Sequence, residues 1–185
     1  MRITAIIPAR GGSKRLEKKN IYPLNGKPLI AYTIEACKKS KYITDIYVSS
    51  DDDEILSTGS LYGAEPLKRE AVLADDTTPK IIAIRSAVKQ LGLMSKNQPE
   101  IIIVPQANSP QISAEAIDKG FEMMFKYNLW EVMSADSNGV QNAAFRIIKM
   151  PHLYNEFLSA HCGFVVADIL DVHTMDDIKK LESQI

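Results

Sequence analysis

Residues 6–20, IIPARGGSKRLEKKN, decide how the chain is read. A short apolar run ends in two adjacent glycines, and five cations, Arg10, Lys14, Arg15, Lys18 and Lys19, gather around a single acid, Glu17; Arg2 adds a sixth cation just before the run. Gly11 and Gly12 can adopt positive φ and let backbone N–H groups approach a ligand closely, while Arg10, Lys14 and Lys19 could neutralise several negative charges. A polyphosphate suits this loop better than a single carboxylate. The loop is neither a GxxxxGK[ST] cradle nor a GxGxxG turn, because the spacings are absent and no further glycine occurs before Gly26. An ordinary solvated lysine-rich loop is the competing reading, but the position straight after a first strand favours a ligand site.

Working outward, apolar β-branched runs at 3–9, 45–50, 100–107, 131–136, 143–148 and 163–169 alternate with helical patterns. The first and third runs are almost continuously apolar, as strands covered on both faces must be. Pro28 lies near the start of a helix that places Ile30, Ile34 and Cys37 on one face and gathers lysines at its end. A second helix, 78–92, turns Ile81, Ile84, Val88 and Leu91 inward, with Gly92 expected as its cap. Further helices are expected to start from Ser113 and from Thr174, the latter with Asp177 at capping-box spacing. This alternation predicts an open, mostly parallel α/β sheet with helices on its faces. Ligands of such sheets bind beyond the carboxyl ends of the strands, so the loops after residues 8, 50, 106 and 169 are the places to search.

Composition sets the outer bounds. The 185 residues are enough for one domain with a substantial core and short for two, so a single domain over 1–185 is expected. With 45% hydrophobic and 24% charged residues, the composition is globular, and the net charge of −1 leaves no overall field for nucleic acid or an anionic membrane. Cys37 and Cys162 stand far apart, outside any CxxC pair, and are expected reduced. The first ten residues are too weakly apolar for a signal peptide and no run approaches membrane-spanning length, so the cytoplasm is expected.

Three other loops carry candidate groups. In SSDDDE, residues 49–54, a hydroxyl and carboxylate cluster could face a ribose or a metal; for Asp52 and Asp53 ordinary helix capping is favoured, with Ser50 or Asp51 as the cap. In PQANSPQ, residues 105–111, Gln106 and Asn108 share one side if the strand conformation persists, serving either a ligand or a plain turn. In DVH, residues 171–173, Asp171 and His173 would share a face ahead of a helix; Asp171 suits magnesium and His173 does not, so on spacing alone a hydrogen-bonded turn residue is the favoured reading of His173. His152 and His161 read as structural.

Taken in order, IIPARGGSKRLEKKNIYPLNGKPLIAYTIEA, YVSSDDDEI, YGAEPLKREAVLADDTTP, VPQANSPQISAEAID and DVHTMDDIKKLE resemble the acylneuraminate cytidylyltransferases, or CMP-sialic acid synthetases. The resemblance covers roughly the first 120 residues and the last fifteen, and the first motif is the most specific. It implies a Rossmann-like nucleotidyltransferase of the nucleotide-diphospho-sugar transferase type. Such an enzyme joins CMP from CTP to a keto-sugar acid with Mg²⁺ and releases pyrophosphate, with a homodimer as the candidate assembly. Carried over by position, Ala9, Arg10, Gly11, Gly12, Ser13, Lys14, Lys19, Asn20 and Arg69 would face the nucleotide, Gln106 and Asn108 the acceptor. Arg10, Lys19 and Asp171 would serve catalysis, and Asp171 with His173 the metal.

The departures are specific. The family's usual pair of metal-binding aspartates appears as Asp171 and His173, its QPTSPLR as QANSPQ, and its NGAIY-like strand as SAHCGFVV. Only twelve residues separate Ile148 from His161, so the family's acceptor and dimerisation segment is shortened around 149–161. Two alternatives therefore accompany the leading one: a nucleotidyltransferase for another sugar or base, and a nucleotide-binding module without catalysis.

Overall fold

The computed structural model describes residues 1–75, 77–94, 98–156 and 159–184, with the backbone alone for 93 and 94. Asp76 of LKREAVLADDT, and Phe157 and Leu158 within 149–161, lie outside the described residues. The strands are β1 (Ile3–Pro8), β2 (Pro23–Leu24), β3 (Lys27–Pro28), β4 (Asp45–Ser50), β5 (Glu65–Lys68), β6 (Ile101–Pro105), β7 (Glu131–Ala135), β8 (Gln141–Lys149) and β9 (Cys162–Val166). The helices are α1 (Leu29–Lys39), α2 (Asp53–Leu61), α3 (Lys80–Met94), α4 (Ala114–Lys126) and α5 (Met175–Glu182).

Seven strands form one sheet in the order β5-β4-β1-β6-β8-β7-β9. Strands β5, β4, β1 and β6 run parallel, β8 is antiparallel to both of its neighbours, and β7 pairs parallel with β9. The order reverses between β1 and β6, which puts the loops after these two strands side by side at the switch point.

Strand alternation sorts the core onto two faces. Ile3, Ala5 and Ile103 turn toward Ala36 and Cys37 of α1 and Phe121 of α4. Ile6, Ile102 and Val104 turn toward Ile84, Val88 and Leu91 of α3. Helix α4 lies close against the sheet because a Cβ at Gly120 would stand 2.7 Å from Ile147 Cδ1. A separate cluster of Leu16, Leu24, Leu29, Val172, Ile178 and Leu181 seats α5 beneath the β1 loop and the β2–β3 hairpin.

Several ends differ from expectation. Gly92 lies inside α3, which runs on to Met94. Asp52, rather than Ser50 or Asp51, caps α2, accepting from Glu54 N at 2.8 Å and Ile55 N at 3.2 Å. The register of β4 sends Asp51 toward the β1 loop instead, where it accepts from Gly11 N at 3.1 Å. Ser113 and the Thr174–Asp177 capping box sit as expected. Cys37 is fully buried, which pushes its thiol up to about 12, and neither cysteine is bonded. His152 stacks on Trp130 at 4.1 Å and His161 lies 4.7 Å from the same ring, at the sheet end opposite the carboxyl ends of β1 and β6.

Candidate nucleotide-binding site

The loop after β1 folds back through short local bonds. Ser13 N donates to Gly11 O at 2.9 Å, and Asn20 Nδ2 reaches back to Arg10 O at 3.0 Å. Neither Gly11 nor Gly12 has positive φ, which corrects the expectation for both. Gly11 is required for space: a Cβ there would lie 2.8 Å from Asp52 Oδ2 and 2.9 Å from Asp52 Cβ. Its N–H is already given to Asp51, so it does not point at a ligand. Ala9 is fully buried with Ile7 and Ile30 and supports the loop from below.

Above this loop opens a cleft of about 730 Å³. Arg10, Lys14, Arg15, Lys19, Arg69 and Lys80 line it against the carboxylates of Asp75 and Asp171, so among the described residues six cationic side chains face two acids. Ser13, Asn20, Gln106, Asn108 and His173 complete most of the polar wall. Ala9, Gly11 and Gly12 of the expected set are not on the lining. Of the two remaining cations of the loop, Lys18 pairs with Glu54 at 2.5 Å, whereas Arg15 lines the cleft.

Arg69 stands in an environment unusual for a cation. It is 9% exposed, and its Nε is buried with no hydrogen-bond partner among the described residues. Its only ion pair among the described residues is a 3.4 Å approach of Nη2 to Asp51 Oδ1. Burial lowers its pKa from the usual arginine value, and Asp51 opposes that shift. An unmet N–H inside a cationic cleft is a place for an anionic or carbonyl oxygen from outside the chain. Asp51 thus ties the β1 loop to Arg69, a role that falls on the first of a run of acids.

Lys19 stands partly buried, and loss of hydration, then Arg15, lower its pKa; Asp171 acts in the opposite sense. Arg10 Nη1 donates to Asp75 O at 3.1 Å, joining the β1 loop to the turn before α3. That turn is built by Asp75 Oδ1, which accepts from Thr78 N at 2.6 Å and Thr77 N at 2.8 Å and from the Thr77 hydroxyl. These bonds hold its carboxyl down at about 2.

The opposite wall comes from the segment after β6. Alternation persists past the strand, so Gln106 and Asn108 both face the cleft while Ala107 enters the core. Asn108 holds the C-terminal segment by two bonds, Nδ2 to Val172 O at 2.9 Å and its own carbonyl accepting from Val172 N at 2.8 Å. Ser109 Oγ donates to Asp171 Oδ1. Val172 is buried, and Asp171 and His173 on either side of it both line the cleft, as their spacing predicts. Burial, then Lys19 and Arg15, lower the His173 pKa, so the neutral imidazole is favoured.

The metal expectation can be tested on these groups. No cluster of three or more His, Cys, Asp or Glu groups suited to an ion occurs among the described residues. Asp171 keeps one carboxylate oxygen beyond its bond to Ser109, and Asn108 has spent its amide nitrogen rather than its oxygen. A magnesium-like ion that takes one or two protein oxygens, with water and phosphate for the rest, fits this set; an ion needing a full protein cage does not.

Lys80 is the group that the sequence reading missed. It opens α3, and its Nζ donates to Gln106 Oε1 at 2.8 Å. A lysine in the first turn of a helix, where the dipole disfavours a cation, is the signal that could have found it.

The sheet order, the cationic cleft at its switch point and the likeness to solved structures together give an α/β nucleotide-sugar transferase fold. Residues 4–152 match the model of the family described as cytidylyltransferase, and the chain belongs to that family. It is 39% identical over 124 residues to the pseudaminic acid cytidylyltransferase of Campylobacter jejuni, an alignment covering 66% of this chain and 53% of that protein. The chain spans about half the length of the curated relatives it matches. Among solved structures it is similar to a CMP:2-keto-3-deoxy-manno-octonic acid synthetase complexed with CTP, with a TM-score of 0.79, 15% identity, and 100% and 98% of the two chains covered. A Mycobacterium tuberculosis protein solved with manganese gives a TM-score of 0.73 at 13% identity, with both chains fully covered. At these identities the two structures speak for the fold.

Proposed function

We propose that this protein transfers CMP from CTP to the anomeric hydroxyl of a nonulosonic-type keto-sugar acid. The observation that carries the reading is the wall of six cations, among them Arg69 with its unpartnered Nε, in the cleft of a cytidylyltransferase fold. The acceptor oxygen attacks the α-phosphorus in line, the bond from that phosphorus to the bridging oxygen breaks, and pyrophosphate leaves while the acceptor hydroxyl gives up its proton. Such a reaction asks the protein mainly for positioning and charge neutralisation.

The residues divide accordingly. Arg10, Lys14 and Lys19 neutralise the triphosphate, Ser13 and Asn20 hold the loop and the nucleotide near it, and Arg69 gives its free N–H to the nucleotide. Gln106 faces the acceptor. Asp171, with Asn108, would hold a magnesium ion, which when bound adds positive charge beside the phosphates; His173 is the weaker ligand of the pair. The relative's acceptor, pseudaminic acid, is the first candidate.

The cytoplasm is the proposed compartment; among the described residues no helix is long and apolar enough to cross a membrane. A homodimer over the β9 edge, where Phe164 is 45% and Val166 65% exposed, belongs to the same proposal, and light scattering after gel filtration tests it. For the activity, pyrophosphate release is measured with CTP, Mg²⁺ and a panel of eight- and nine-carbon keto-sugar acids. Turnover with at least one acid is expected. A folded, CTP-binding sample that turns over none of them overturns the activity, and stronger thermal stabilisation by GTP, UTP or ATP than by CTP overturns the base.

A further inference from the structure

We propose that Lys80 and Gln106 together form a donor-only subsite that reads the carboxylate of the acceptor, with Lys80 fixing which way the Gln106 amide faces. The inference deepens the functional reading above and rests on it for the identity of the acceptor.

An ammonium group carries three donors and no acceptor, so the amide beside it must present its oxygen. Lys80 Nζ therefore holds Gln106 Oε1 at 2.8 Å and turns the amide NH₂ the other way. The backbone of Gln106 cannot swing to undo this. Its carbonyl accepts from Thr33 Oγ1 at 2.7 Å, its N–H donates to Ala144 O at 2.9 Å, and the residue is 9% exposed. Among the described residues Gln106 Nε2 has no hydrogen-bond partner, and neither do the other two protons of Lys80. Adjacent side chains on the cleft wall thus offer only donors.

Such a pair selects its ligand by chemistry. A hydroxyl would satisfy one donor and turn its own proton toward an ammonium, whereas a carboxylate brings two acceptor oxygens and the opposite charge. A phosphate is also an acceptor-only anion, but the phosphate cations Arg10, Lys14 and Lys19 stand on the loop after β1. Lys80 and Gln106 come from α3 and the segment after β6, across the switch point. Asp171 acts on Lys80 electrostatically, so the wall ends in an acid that keeps the anion on the Lys80 side. Lysine at the helix start gains nothing from the dipole, and its place is explained by this bond and this ligand.

The test uses sodium pyruvate, the smallest 2-keto acid, and pyruvamide, its neutral analogue, each titrated into the ¹⁵N-labelled protein while the side-chain amide of Gln106 is followed by NMR. Pyruvate should shift that amide and pyruvamide should not. Lys80→Met should weaken the pyruvate response about tenfold or more, and Lys80→Arg should restore most of it. Thermal stabilisation by CTP should fall less in Lys80→Met than in Lys19→Met, since Lys19 stands on the loop that takes the triphosphate and Lys80 is held by Gln106. Gln106→Glu, which keeps the bond to Lys80 but adds a repelling charge, should abolish the pyruvate response of the backbone amides around residue 106 even if Lys80→Met fails to fold. An equal response to pyruvamide, or a Lys80→Met variant that loses CTP stabilisation while keeping the pyruvate response, overturns the subsite. A wild-type protein that CTP does not stabilise, but whose amide still answers pyruvate alone, overturns the functional reading and supports the subsite.

Discussion

Replacing Gly11 by alanine should destabilise the fold through one neighbour, Asp52, and the size of the effect can be worked out. The added Cβ would stand 2.8 Å from Asp52 Oδ2, 2.9 Å from its Cβ and 3.3 Å from its Cγ, so Asp52 must move. Asp52 caps α2 through bonds to Glu54 N and Ile55 N. Loss of such a cap costs about 1 kcal/mol, and forcing a carbon into occupied space about 1 kcal/mol more. The expected total is about 2 kcal/mol, or roughly 4–8 °C in Tm for a chain of this length. Asp52→Gly removes every atom named in the clash, while glycine at a cap position costs only a few tenths of a kcal/mol. Urea unfolding of the wild type, the two single variants and the double variant closes the cycle. In the Asp52→Gly background, Gly11→Ala should cost less than about 0.5 kcal/mol. An equal cost in both backgrounds would refute the steric account of Gly11.

Arg10→Ala should weaken CTP binding by about 10- to 100-fold, as expected for loss of a hydrogen bond to a charged group, and calorimetry that finds an unchanged affinity would mean that the β1 loop does not hold the triphosphate. Asp171→Asn should lower kcat by about a hundredfold while leaving CTP affinity nearly intact; equal turnover with and without that carboxylate removes it from the metal site. His173 has its folded pKa depressed below the ordinary 6.5 by burial, Lys19 and Arg15, so the unfolded chain binds more protons between the two values. Stability therefore rises as pH climbs through that window toward 6.5, and His173→Gln should flatten the rise in urea midpoints; an unaltered slope would count against it.

Much of the architecture could be read in advance because the central strands are buried on both faces and must be apolar. Ile101, Ile102 and Ile103 are all within 3% of full burial, and no other pattern serves such a position. Strand β5 escaped notice for the converse reason. It lies at the edge of the sheet, its EPLK carries Pro66 and two charges, and only Leu67 is buried, so neither alternation nor β-branching marks it. The cationic loop was legible as a ligand site, but the part played by Gly11 was not, because a missing Cβ has meaning only once Asp52 is known to lie opposite. Three consecutive aspartates, 51–53, look alike in sequence; the register of β4 alone decides that Asp51 turns to Gly11 and Arg69 while Asp52 caps the helix. Lys80 was hidden by distance, since its partner Gln106 is 26 positions away.

The seating of α5 against Leu16, Leu24 and Leu29, together with the Asn108–Val172 bonds, has a consequence for biogenesis. During synthesis the residues that floor the β1 loop and supply Asp171 are made some 150 positions after the loop itself. Domains made at about 5–20 residues per second keep that loop without its support for many seconds. A nascent chain therefore exposes a cationic loop and an apolar underside until Val172, Ile178 and Leu181 arrive, and the cleft becomes competent for nucleotide only when synthesis of this region is nearly over.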